Sequence, residues 1–101
     1  MPTVYVTVPR ESAAELASAL VEERLAACVN RVDCRSTYRW EEEVRADEEE
    51  AVLFVKTTDE RYPDLRERVL ELHPHEVPCI ERFDEAEVYD PYAEWVRESV
   101  R

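Results

Sequence analysis

Four side chains with metal-ligating atoms fall in one short string: His73, His75, Glu76 and Cys79. Imidazole, carboxylate and thiolate suit Cu(II) or Zn(II), and copper ranks highest among divalent first-row ions for such donors. The string is therefore a candidate metal site, with no obligatory cofactor implied. The same residues also have a purely structural reading, in which His73 and Pro74 stop a helix, Glu76 pairs with a base and Cys79 is buried. Pro74 separates the two histidines, so they cannot share one helix face as those of an H-E-x-x-H motif do.

A second group of residues suits ligand or interface roles: Cys28, Tyr38, Trp40, Lys56 and Trp95. Cys28 and Cys34 are six apart on one strand face, about 20 Å along the strand. One subunit cannot bring both to one metal ion. Cys28, between Ala27 and Val29, reads as a small core hydrophobe. Lys56 is the only lysine in the chain. It is placed to pair with Glu76, to hold an anionic ligand or to form an interface salt bridge. Catalysis finds no support: Ser36 and Ser99 sit in no nucleophile elbow, and the chain is expected not to be an enzyme. Glycine is absent, which excludes a phosphate-cradling loop and a dinucleotide fingerprint. Sharp turns must then use Asn, Asp or Pro.

The elements that carry these residues follow from hydrophobic period. Thr3 to Val8 alternates as a strand. A capping box at Ser12 to Glu15 opens a helix over about 11–24. Cys28 to Trp40 is a long strand whose apolar parity holds Cys28, Val32, Cys34, Tyr38 and Trp40, opposite Arg31, Asp33, Arg35 and Arg39. Glu41 to Glu43 forms a hairpin tip. Val44 to Thr58 returns, apolar on both faces over Ala51 to Val55, as a central strand does. The run Asp47 to Glu50 reads as solvated strand. Asp59 caps a second helix with the stripe Tyr62, Leu65, Val69 and Leu72. Val77 to Val88 is a fourth strand, at an edge because of Pro78. Asp90-Pro91 opens a C-terminal helix with Tyr92, Trp95 and Val96 on its apolar side.

The order is β-α-β-β-α-β plus a helix, an α+β ferredoxin-like arrangement with an antiparallel sheet and a long central hairpin. Residues 1–101 read as one domain. Two strands of about 13 residues reach roughly 43 Å. Part of that hairpin must project, exposing edges and aromatic side chains that a monomer would need to protect. Oligomerisation through the hairpin follows.

The formal net charge is −12, from 25 acidic and 13 basic residues. That excess disfavours nucleic acid and anionic membranes. Dense acid with a single lysine suggests the surface of a halophilic protein. No apolar run is long enough for membrane insertion, and the first residues lack a signal-peptide core, so a cytoplasmic location is expected. Three cysteines without a CxxC pair argue against a disulfide framework.

Three stretches resemble the CutA (divalent-cation tolerance) family. They are Leu25-Ala26-Ala27-Cys28-Val29-Asn30; Ser36-Thr37-Tyr38-Arg39-Trp40, followed by Lys56-Thr57; and His73-Pro74-His75-Glu76-Val77-Pro78, closed by the aromatic tail Tyr92 to Trp95. The resemblance implies a ferredoxin-like subunit, a homotrimer whose long hairpins wrap neighbouring subunits, and a part in tolerance to copper and other divalent metals. It also implies an architecture similar to PII signalling proteins, so a small-ligand sensor or scaffold is the alternative function. The chain departs from the family where Glu42 replaces a usual glycine, His75 a tyrosine and Cys79 a glutamate.

Overall fold

Alternating β-branched residues put Val4, Val6 and Val8 on one side of strand β1 (Pro2–Pro9), where all three are fully buried. The computed structural model describes residues 1–101. After β1 come α1 (Arg10–Glu22), β2 (Cys28–Trp40), β3 (Glu43–Lys56), α2 (Tyr62–Leu72), β4 (Ile80–Asp84) and α3 (Asp90–Ser99). The strands form one antiparallel sheet in the order β2-β3-β1-β4, the expected ferredoxin-like topology. No helix is long and apolar enough to cross a membrane.

Both helices of the repeat pack on one sheet face. Ala51, Leu53 and Val55 of β3 join the three valines of β1, and Ala13, Leu16 and Leu20 of α1 with Leu65 and Val69 of α2 close over them. Each large side chain buried there stabilises the fold by about 1.5–3 kcal/mol. On the opposite face, Tyr5 contacts Phe54 edge-on and Phe83 at a tilt, both at 5.8 Å. No helix of the repeat covers this side, and Phe83 is 46% exposed. The apolar parity of β2 points to it, since Cys28, Val32 and Cys34 lie opposite Lys56, Val52 and Glu50. α3 seals one end of the sheet through Val96 and Val100 against Ala27.

The hairpin projects as expected. β1 pairs with β3 only as far as Glu50, so the outer half of β2 and β3 is a two-stranded ribbon. The longest dimension is 45 Å, and the radius of gyration is 14.1 Å, against about 13 Å for a compact chain of this length. The tip falls where expected, but its turn uses neither Asn, Asp nor Pro. Glu41 and Glu42 form the turn themselves, with φ of 49° and 70°, the positive-φ pattern of a type I′ hairpin. A bulge sits where Ser36 pairs Glu48 and Tyr38 pairs Arg45, and Asp47 there has φ 55°.

Other boundaries need correction. No side chain caps α1, and Pro9 stands at its start. The Ser12 box lies inside the first turns, because the strand runs directly into the helix. Asp59 does not cap α2; the Arg61 N–H instead donates to Thr58 Oγ1 at 3.2 Å. Leu72 of the expected buried stripe is 38% exposed. β4 is five residues long, shorter than Val77 to Val88. Pro78 has no N–H to pair, and β1 runs out of partners where Pro2 meets Asp84.

Fully buried Thr57 joins the end of β3 to the connection after α1: its hydroxyl donates to the Leu25 carbonyl at 2.7 Å. Thr57→Val keeps the shape and strands that carbonyl. Chemical denaturation at fixed protein concentration should show a loss of about 1–3 kcal/mol. A loss below about 0.5 kcal/mol would mean that the carbonyl finds another partner.

Candidate functional site

The chain between α2 and β4 lies beside the open sheet face and borders a half-open cavity of 580 Å³. Its walls include Thr7 of β1, Ser36, Tyr38 and Trp40 of β2, Arg45 and Glu50 of β3, and His75, Glu76, Val77 and Cys79 of the covering loop. Five residues singled out in the sequence thus converge: His75, Glu76, Cys79, Tyr38 and Trp40. Four do not. His73 is turned into the fold, and Cys28, Lys56 and Trp95 lie elsewhere.

His73 holds the loop in place. It is 7% exposed. Its Nε2 lies 2.8 Å from the Thr7 carbonyl oxygen, and its Nδ1 accepts the His75 N–H at 3.0 Å. With Nδ1 accepting, Nε2 carries the proton and donates to Thr7. Both ring nitrogens are engaged, so His73 cannot ligate a metal without breaking the contacts that shape the cavity. Burial, ahead of the neighbouring His75, lowers its pKa below the usual value against an opposing pull from the Thr7 carbonyl. The His73 and His75 rings lie 5.2 Å apart.

Cys79 donates to Glu81 Oε2 at 3.3 Å. Burial, then the Glu81 carboxylate, pushes its thiol pKa up, which opposes the thiolate form that a metal needs. Glu76 is exposed and makes no ion pair, contrary to the pairing with a base read from the sequence. No three His, Cys, Asp or Glu side chains are grouped as a metal cage.

Glu50 was missed. It is 8% exposed and lines the cavity. Its backbone carbonyl receives Arg10 Nε at 3.4 Å, whereas its carboxylate has neither a hydrogen bond nor an ion pair. The sequence held a signal. Glu50 shares parity with Val52 and Phe54, and it directly precedes the buried run from Ala51. Taking Asp47 to Glu50 as uniformly solvated concealed it. Arg45, also unread, is 3.7 Å from Glu48.

The other candidates cluster at the far end of the open face. Lys56 lies opposite both Cys28 and Thr3. It forms no salt bridge, so the suggested pairing with Glu76 does not occur. Cys28 is half-buried at the sheet surface, not in the core, with Sγ 3.9 Å from Asn30 Oδ1. Burial, followed by Cys28, raises the pKa of Tyr92. Trp95 is 47% exposed and stacks on Tyr92 at 5.6 Å.

His73 makes the local pH response predictable. Its folded pKa is depressed, so the unfolded chain binds more protons as pH falls. The stabilisation is complete above the unfolded value of about 6.5 and is lost on descending towards the lower folded value. His73→Gln can still donate to Thr7 but does not titrate. Melting of this variant should lose less than wild type between pH 7.5 and the acid side of that window. Parallel melting curves would remove His73 as the cause.

Known proteins give the frame for these observations. The family profile described as CutA1 divalent ion tolerance protein matches residues 2–99. The divalent-cation tolerance protein CutA of Thermus thermophilus is 50% identical over 98 residues, covering 95% of this chain and 94% of that protein. The crystal structure of CutA1 from Pyrococcus horikoshii superposes with a TM-score of 0.94 at 37% identity, covering 100% of this chain and 99% of that one. A structure described as the PII-like protein CutA from Nostoc, in apo form, gives 0.95 at 30% identity, covering 100% and 98%.

Proposed function

This chain belongs to the CutA1 divalent ion tolerance family, and on that premise we propose that it acts as a cytoplasmic, non-enzymatic homotrimer in the response to divalent metal ions. Copper and zinc are the ions its donors suit. The observation that carries this reading is the convergence of His75, Glu76 and Cys79 on one cavity wall. His73 is left out of the ligand set, since its ring nitrogens shape the loop. The site is then a weak one that forms on binding, because the Cys79 thiol must lose its proton to take part.

Copper binding should be saturable at pH 7 in molar KCl, where screening suppresses loose association with surface carboxylates. It should weaken as pH falls, because protons compete with the metal for its donors. His75→Ala should abolish it. Calorimetry that gives the same isotherm for His75→Ala and wild type would remove the metal reading of this wall.

The trimer is supported by the uncovered aromatic face around Tyr5, Phe54 and Phe83 and by the projecting ribbon. Obligate interfaces are large and apolar, and stability then depends on assembly. Trp40→Asp should dissociate or aggregate the protein in sedimentation velocity. A trimer with unchanged melting would place Trp40 outside the interface. The acidic surface extends the reading to a salt-adapted protein, whose melting temperature rises with KCl as self-repulsion is screened. A flat response from dilute buffer to molar salt would count against that adaptation.

A second reading, a PII-like sensor of a small ligand, is favoured by the cavity itself. Its 580 Å³ lies within the range of about 300–1,000 Å³ typical of small-molecule sites. Tyr38, Trp40 and Val77 give it walls that a hydrated metal ion does not need.

A further inference from the structure

The one fully buried side-chain oxygen without a partner is Glu85 Oε1, whereas Glu50 is the unpartnered, largely buried carboxylate that faces a cavity. A carboxylate removed from water is expected to have hydrogen-bonding partners or a counter-charge. Glu50 is 8% exposed, and its carboxylate has neither within the chain. What exposure it keeps is to the cavity, which it lines. The other charged groups on that wall are Glu76, which makes no ion pair, and Arg45, whose guanidinium already faces Glu48 at 3.7 Å. The cavity is therefore short of positive charge. Opposite charge from outside is also concentrated there by a molecule whose net charge is −12.

The walls say what kind of cation fits. Tyr38 and Trp40 offer aromatic rings, which attract an ammonium group over their faces, and Val77 adds apolar surface. A bare divalent ion would gain nothing from these three. We propose that the cavity binds a small organic ammonium ion, its charged nitrogen on the Glu50 carboxylate and its apolar part against Tyr38, Trp40 and Val77. This rests on the small-ligand reading above and names the ligand's chemical class. Glu50 lies on the sheet, whereas the proposed metal donors His75 and Cys79 belong to the covering loop that lines the same cavity.

The test uses three probes of one shape on the full chain at pH 7.5 and about 0.15 M salt: phenethylammonium, the neutral 2-phenylethanol and the anion 3-phenylpropionate. Calorimetry, with ligand-observed NMR for weak binding, should show saturable binding of phenethylammonium, at least about tenfold tighter than either analogue. Glu50→Gln should erase the difference between amine and alcohol. Equal affinity of alcohol or propionate for the wild type would overturn the proposal while the small-ligand reading stood, and that comparison needs no variant. An unchanged amine affinity in Glu50→Gln would overturn it too. If none of the three binds up to about 10 mM, an affinity weaker than roughly −3 kcal/mol, both readings fail together.

Discussion

A sheet has two faces, and the helices of the repeat cover only one here. That constraint shapes the remainder of the molecule. Strand β3 is paired on both sides along its inner half and is apolar on both faces, with Leu53 fully buried under the helices and Phe54 half-buried on the other side. Burial of the first face gives the subunit its core. The second face is left with Tyr5, Phe54 and Phe83 in mutual contact, α3 at one end and the loop after α2 at the other. Every residue with chemical potential lies on this second face or on the segments that close its ends. Structure and function compete for the same surface: any neighbour that covers the aromatic centre also borders the cavity at its end.

The loop that forms the cavity depends on one histidine being unavailable for chemistry. His73 bridges the Thr7 carbonyl and the His75 N–H, and so fixes the path of the backbone from Pro74 to Cys79. His75, two residues on, is released from that duty and faces the cavity. Pro74 separates the two roles: it ends the helix and turns the chain, so neighbouring histidines of the same type meet different surroundings. A sequence string of good ligands therefore became one structural pin and three cavity-lining groups.

Much of this was legible beforehand because period encodes facing. The alternation in Thr3 to Val8 and the double-sided run Ala51 to Val55 each reached the surface that their spacing implied. Period does not say which apolar face a helix will cover, and the parity of β2 that carries Val32 and Cys34 proved to be the uncovered one. Local composition misled twice. Glu50 was absorbed into an acidic run although only its strand position decides its burial. Val77 to Cys79 looked like strand, but the proline removes the donor that pairing with β1 would require. The cavity as a whole was not legible, since it depends on a loop meeting residues of three strands that are distant in sequence.

The ribbon's turn has a further consequence, for the order in which the chain assembles. Two adjacent glutamates at positive φ each carry roughly 1–2 kcal/mol of steric penalty, and their like charges repel. A hairpin with such a tip does not nucleate there. β2 and β3 must first meet at their inner ends, near Cys28 and Lys56, where burial of Val29 and Val55 rewards contact, and then zip outwards to Trp40 and Glu43. That path closes the longest loop first, which slows the search. It also makes the tip the last part to form and the first to fray.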